Sequence, residues 1–301
     1  MTLPTSILRR FSLLLGVFLV ISGCEQTSPE TDLPIFLNLS GYKIKTDNQI
    51  VGERNIKDYW IDHNGETMGI HRVPRVIPLL PQADRNELTI RGGIFQNGLT
   101  VLPAPYPFWE PITLQIEADP LDTVDLDLTF QYWPRDSILI YPFEEDFEGG
   151  GAPQFVSNDD LTNPTRLEPS AFKSYQGQWS GRVIFTSSQY NFEALSSNFL
   201  SLPRTNDNNV YLEITYQNTI PFTVGLFYTN VNATNVQELP LGVAFLSEDK
   251  WTTAYIHLQS LVQSVEPGFF KLYLKATGDN GDGEIQTGNI YLDYMRIIHF
   301  K

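Results

Sequence analysis

The sequence predicts an all-β chain of two sandwiches in series, and three observations predict it. Short runs of alternating apolar and polar residues recur along the chain, the period-2 signature of half-buried strands. Gly, Pro, Asn and Asp separate these runs, supplying the turns that sandwiches need. Almost no stretch carries apolar residues at a 3.6 spacing, and no repeat of fixed period is visible.

In chain order, the first element is an export signal. Arg9 and Arg10 precede an apolar run from Phe11 to Ile21, broken only by Ser12 and Gly16. A membrane span needs about 20 apolar residues, more than this run has. Ser22 and Gly23 are small and suit a peptidase, and Cys24 is the only cysteine in the chain. The tetrad Ile21-Ser22-Gly23-Cys24 resembles the lipobox of bacterial lipoproteins. That resemblance implies that residues 1–23 are a signal peptide and that Cys24 is acylated. An acylated Cys24 leaves no thiol for a disulfide, a nucleophile or a metal, so stability must come from burial. Residues 24–33 read as the acylated cysteine and a flexible tether. Its acids Glu25, Glu30 and Asp32 resemble, loosely, the surface-export signals of Bacteroidota lipoproteins. Outer-membrane localisation follows as an expectation, with the cell surface and the periplasmic face both open.

Charge narrows the partners. The formal net charge is −15, and cleavage would make it two units more negative by removing Arg9 and Arg10. Phosphate backbones are repelled by such a surface, so nucleic acid is discounted. Membrane attachment would run through acyl chains rather than a basic patch.

Residues 34–138 form the first expected domain. "NELTIRGG" (86–93), "ITLQIEAD" (112–119) and "VDLDLTFQYW" (124–133) read as strands, and Asn64-Gly65 reads as a hairpin turn because both residues tolerate positive φ. "DYWIDHNGETMGIHRVPRVIPLLPQADRNELTIRGGI" resembles a module of the PEGA type, with Trp60, Gly65, Gly69, Pro74 and Gly93 at its characteristic positions. It implies an immunoglobulin-like sandwich. "IFQNGLTVLPAPYPFWEPI" (94–112) places prolines among aromatics, which predicts an extended packed loop able to touch a partner. The border falls near "YWPRDSILIYP" (132–142).

Residues 139–301 form the second. "VYLEITYQ" (210–217), "FTVGLFYT" (222–229), "TTAYIHLQ" (252–259), "FFKLYLKA" (269–276) and "NIYLDYMRII" (289–298) are its clearest strands. The opening "FEEDFEGGG", Trp179 in "QGQWSGRVIFT", "NFLSLP", "DKWTTAYIHL" and the closing "IYLDYMRI" together resemble jelly-roll modules of the carbohydrate-binding and galactose-binding-like kind. The resemblance implies a structural calcium shared by an early and a late acidic strand. Asp146 and Glu148, read as strand residues two apart, point to one side, and Asp293 could complete the site. A solvated acidic edge that discourages strand pairing explains the same residues. "GDNGDGE" (278–284) lacks EF-hand spacing and reads as a turn.

Alternation sorts the late strands. Thr252, Ala254, Ile256 and Leu258 are fit for a core, and so are Leu272 and Leu274. Trp251, Tyr255, His257, Tyr273 and Lys275 turn outward, and would form one sugar-stacking platform if their strands pair. Cross-strand aromatic pairs stiffening a wet face are the plainer alternative. Histidines 63, 71, 257 and 299 have no metal-ligand spacing, and no nucleophile elbow or phosphate loop occurs. Glu144 and Glu145 are the paired carboxylates a glycosidase would use, but adjacent strand residues point to opposite faces, which argues against that role. Asp122-Thr123-Val124 and Asp136-Ser137-Ile138 resemble Bacteroidota O-glycosylation triplets. The expected role is non-enzymatic capture of a glycan or an envelope protein. The alternative is an accessory subunit of an outer-membrane assembly, with the jelly roll as a packing module and "PAPYPFWEP" as the contact. A glycoside hydrolase ranks third.

Overall fold

The computed structural model describes residues 33–46, 49–51, 56–82, 85–149, 151–205, 209–232 and 236–301. Cys24, the signal peptide and nearly all of the tether lie outside the described residues. The described chain is nearly all β, with one short helix at Gln259–Gln263.

Nine strands build the first domain: β1 (Ile35–Thr46), β2 (Gln49–Val51), β3 (Asp58–His63), β4 (Glu66–Arg72), β5 (Arg75–Leu79), β6 (Glu87–Phe95), β7 (Pro103–Pro105), β8 (Ile112–Gln115) and β9 (Thr123–Gln131). One sheet has the order β2-β1-β5 with β9 beside β1, and the other has β4-β3-β6-β7 with β8 beside β6. The first and last strands, β1 and β9, pair in parallel. Alternation decides which side faces in. Leu126, Leu128 and Phe130 of β9 are buried, while Asp125 and Asp127 between them stay exposed. Asn64 and Gly65 both take positive φ, 52° and 84°, which suits the tight β3–β4 hairpin.

The second domain contains β10 (Leu139–Glu145), β11 (Phe155–Ser157), β12 (Leu167–Ser170), β13 (Ser180–Phe185), β14 (Asn191–Ser196), β15 (Val210–Asn218), β16 (Phe222–Asn230), β17 (Val236–Phe245), β18 (Glu248–His257), β19 (Gly268–Thr277) and β20 (Gly288–Phe300). They form a jelly-roll sandwich of two antiparallel sheets. The first has the order β12-β13-β20-β15-β18 with β10 also on β20; the second is β11-β14-β19-β16-β17. Between them lies one apolar core that includes Leu212 and Ile214 of β15, Leu226 of β16, Ile256 of β18, Leu272 and Leu274 of β19, and Leu292 of β20.

The two domains share buried surface. Tyr211, Tyr255 and Ile298, on the outer face of the second domain's first sheet, belong to the first domain's core cluster. The proline-aromatic loop makes the contact: the Tyr106 ring lies 4.7 Å from Tyr255 and 5.4 Å from Tyr211, and Phe108 lies 4.8 Å from Phe300. The edge of β18 is covered too. Asn97 donates its backbone N–H to the Tyr255 carbonyl at 2.9 Å, and its Oδ1 accepts the His257 N–H at 2.9 Å. An exposed strand edge invites pairing with other chains, and this contact removes that exposure. The loop expected to touch a partner spends Tyr106, Phe108 and Trp109, each at most 4% exposed, inside its own chain.

Candidate functional site

The outer face of the second domain's first sheet is divided into two halves by a bulge in β20. Ile290 and Leu292 point inward, and Tyr291 and Asp293 point outward. Tyr294 then takes φ 46°, and the β15–β20 register shifts between Glu213 and Thr215. An extra residue of this kind bends and twists a strand. Beyond it Met295 and Ile297 are the inward residues, while Arg296 and Ile298 lie beneath the first domain.

The half before the bulge carries no domain on top of it, and its side chains stand in register across the sheet. Glu168 of β12 faces Arg182 of β13, Arg182 faces Tyr291 of β20, and Tyr291 faces Gln217 of β15. Trp251 of β18 closes the row, its ring 6.4 Å from that of Tyr291. At about 4.8 Å per strand, Arg182 to Trp251 spans roughly 14 Å, room for several sugar rings rather than one. The loop from Ala171 to Trp179 borders the row. Phe172, 75% exposed, stacks on Tyr291 at 6.4 Å and 17°, and Tyr175 sits 6.0 Å from Trp251.

Two carboxylates pin that loop. Asp293 Oδ2 accepts the backbone N–H groups of Tyr175 at 2.9 Å and Gln176 at 3.2 Å, and Oδ1 accepts that of Tyr294 at 2.8 Å. Burial pushes the Asp293 carboxyl up to about 7; the three N–H donors oppose the rise, and the Glu148 charge adds to it. Glu148 Oε1 accepts from the backbone of Gln178 and Trp179 at 2.9 and 3.0 Å.

Cations lie over the rings. The Arg182 guanidinium carbon is 5.0 Å from the Phe172 centroid and 5.5 Å from that of Tyr291, and Nε donates to Asn289 Oδ1 at 2.9 Å. Lys173 Nζ is 5.5 Å from the Tyr291 centroid. Arg182 also lines a pocket of about 720 Å³, bounded by Glu168, Ser170, Ile184 and the Arg166–Asp159 ion pair. Flat rings beside amides and cations can stack on a sugar face and bond to its hydroxyls.

Of the five outward residues read from the sequence, only Trp251 stands in this row. Tyr255 and His257 share its strand but lie against the first domain; the His257 ring is 4.7 Å from Tyr211. Tyr273 and Lys275 are on β19 in the opposite sheet. The expected single platform is therefore not formed: the helix at Gln259–Gln263 carries the chain from one sheet to the other between β18 and β19. Tyr273 points outward as alternation requires, yet it is 1% exposed. Its ring crosses Gly225, where a Cβ would stand 2.4 Å from it, and Lys275 Nζ lies 5.0 Å from its centroid. Lys275 is held by Glu193 at 2.9 Å and Glu238 at 2.6 Å. The sequence reading missed Phe172, Tyr175, Arg182 and Tyr291. Tyr291 had a signal, because Ile290 and Leu292 turn it outward.

The acidic set expected to hold calcium differs as well. Asp146 and Glu148 are not strand residues: β10 ends at Glu145, and the chain turns through Phe147 at φ 60°. Asp146 Oδ1 accepts the Glu148 N–H at 3.0 Å. Among the described residues no group of three or more His, Cys, Asp or Glu side chains could hold a metal ion. Asp146, Glu148 and Asp293 thus do not fit the site expected of them; their oxygens brace backbone turns. Asp279 and Asp282 brace turns in the same way, accepting from Gly281 and Glu284 at 2.8 and 2.9 Å.

No family model and no curated protein matches the chain. Solved structures do. The CBM22-1 xylan-binding domain of Paenibacillus barcinonensis Xyn10C is 16% identical, covers 54% of this chain and 96% of its own, and has a TM-score of 0.38. The family 11 carbohydrate-binding module of Clostridium thermocellum, solved with a β-1,3-1,4-mixed-linked tetrasaccharide, is 10% identical, covers 51% and 94%, and scores 0.36. The CBM22-1-GH10 modules of Clostridium thermocellum Xyn10B are 12% identical, cover 52% and 28%, and score 0.38. Likeness at this level assigns neither ligand nor activity.

Proposed function

We propose that this chain is a non-catalytic glycan-binding protein of the cell envelope, holding a polysaccharide along the open half of the second domain's first sheet. The observation that carries the reading is the row of rings Phe172, Tyr291, Trp251 and Tyr175, each within 6.4 Å of the next, in which Phe172 is 75% exposed and the buried Tyr291 supports it from beneath. Sequence alternation explains why two of them face outward: Tyr291 and Trp251 cannot enter the core without reversing strands whose other faces are Ile290 and Leu292, or Ala254 and Ile256. Hydrogen-bonding side chains, Gln217 and Asn289, stand in the same area.

Envelope attachment belongs to the same proposal. It rests on the tetrad Ile21-Ser22-Gly23-Cys24 after a short apolar run, with acylated Cys24 as the anchor in the outer membrane. Cys24→Ser should abolish incorporation of labelled fatty acid, and incorporation into that variant would remove Cys24 as the anchor.

Glycan retention is tested on a polysaccharide array with the chain and its Trp251→Ala variant. The variant should keep its circular dichroism spectrum and lose retention. Equal retention by both, or no retention of any polysaccharide by either, would count against the reading.

A further inference from the structure

Arg182 and Lys173 bring two unpaired cations to one ring-bearing face of a strongly acidic chain. Several cations elsewhere are neutralised. Arg166 pairs with Asp159, Arg135 with Glu144, Lys43 with Asp127, and Lys275 with two glutamates. Among the described residues Arg182 and Lys173 form no ion pair, although Glu168 stands opposite Arg182 in the strand register. The Arg182 guanidinium is turned from Glu168 onto the rings of Phe172 and Tyr291, and Nε is fixed by Asn289 Oδ1 at 2.9 Å. Its two terminal nitrogens make no hydrogen bond among the described residues.

A guanidinium held flat on rings with its terminal fork free is preorganised for a planar carboxylate, since less side-chain freedom is lost on binding. Stacking on aromatic faces is also weakly hydrated, so the charge reaches a ligand at low desolvation cost. Lys173 supplies a second charge within 5.5 Å of the same Tyr291 ring. A ligand lying on Phe172, 75% exposed above the buried Tyr291 ring, therefore meets a stacking surface and two unneutralised cations together. A neutral glycan would use only the first.

Resting on the glycan-binding reading above, we propose that the ligand is an acidic polysaccharide whose uronate carboxylates are taken by Arg182, with Lys173 adding to the attraction. The charge complementarity is local: a chain of net charge −15 repels polyanions at large, and so selects one whose carboxylates can be placed on this fork.

The intact chain is titrated with polygalacturonate, alginate and glucuronan, with the carboxyl-reduced neutral form of each, and with dextran sulfate. At least one uronate polymer should bind about tenfold tighter than its reduced form, a gap of about one charge-assisted contact. Arg182→Gln should bring that ratio close to one. Added salt should weaken binding of the uronate form only. Equal affinity for acidic and reduced forms would overturn the inference and leave glycan binding standing. Tighter binding of dextran sulfate than of every uronate polymer would overturn the choice of carboxylate. Binding of none would overturn both.

Discussion

Arg296 Nε donates to Glu213 Oε2 at 2.7 Å, from two neighbouring strands of the second domain, and the hydroxyls that meet this pair come from the first domain. Tyr132 donates to Glu213 Oε1 at 2.9 Å, and Tyr106 donates to the same oxygen. Burial, then the Glu213 charge, holds the Tyr106 hydroxyl well above the ordinary phenol range. A polar lock of this kind binds the domains only while every member keeps its partner.

Removing one member should therefore cost more than removing the pair. Glu213→Ala leaves Arg296 buried without its counter-charge, a loss of about 3–5 kcal/mol. Adding Arg296→Met to Glu213→Ala should restore part of that loss, because the orphaned charge is gone. Chemical denaturation of the two single variants and the double variant gives the coupling. Fully additive losses would mean that the pair does not act as a unit.

The same shared surface predicts that the two domains melt together. Tyr211, Tyr255 and Ile298 are core residues of the first domain's cluster although they sit on the second domain's sheet. Calorimetry should show one transition in the chain and two in Tyr106→Ala, which removes the ring between Tyr211 and Tyr255. Two resolved transitions in the unaltered chain would contradict this.

Asp293 should impose a pH slope on stability. Its carboxyl is raised from 3.8 to about 7, so the folded chain keeps this proton more tightly than the unfolded chain does. Stability from this group is then greatest below about pH 4 and falls as pH rises to about 7, by at most roughly 1.4 kcal/mol per unit. Urea denaturation between pH 4.5 and 7.5 should show that fall, and Asp293→Asn should lack it whatever its absolute stability. Parallel pH profiles would contradict the assignment.

Gly177 should tolerate no side chain. It takes φ 74°, and a Cβ there would stand 2.2 Å from Glu148 Oε1. Gly177→Ala combines left-handed strain with displacement of a carboxylate that holds two backbone N–H groups, a loss of about 2 kcal/mol or more. Because the same loop carries Phe172 and Tyr175, the folded variant should also lose glycan affinity. Unchanged stability and affinity would show that the loop is not braced by Glu148.

Strand identity was legible in the sequence, and strand partnership was not. The pattern in "WTTAYIHL" placed Ala254, Ile256 and Leu258 inward, and "KLYLK" placed Leu272 and Leu274 inward; all five are core residues. Alternation fixes which side of a strand faces the core, but nothing local says which sheet the strand joins. So β18 and β19, adjacent in sequence, end on opposite sides of the sandwich. Outward direction did not guarantee exposure either: Tyr255 is covered by the first domain, and Tyr273 lies over Gly225. The loop "PAPYPFWEP" was readable as extended and packed, because prolines cannot serve a central strand. Its partner, the second domain of the same chain, could not be read. Phe172 and Tyr175 carried no periodic signal, since their place depends on the distant carboxylates Asp293 and Glu148.

The two outer faces of the jelly roll provide the most direct test of where a glycan is held. Phe199, 60% exposed, lies against Phe269 of β19 on the second sheet, while Phe172, 75% exposed, lies over Tyr291 on the open half of the first. The dissociation constant of a retained polysaccharide is measured for Phe172→Ala and for Phe199→Ala, each checked for an unchanged fold. Glycan binding on the open half predicts at least about a tenfold loss for Phe172→Ala, or roughly 1.4 kcal/mol, and no change for Phe199→Ala. A loss for Phe199→Ala with Phe172→Ala unchanged would place the ligand on the other sheet and contradict the account.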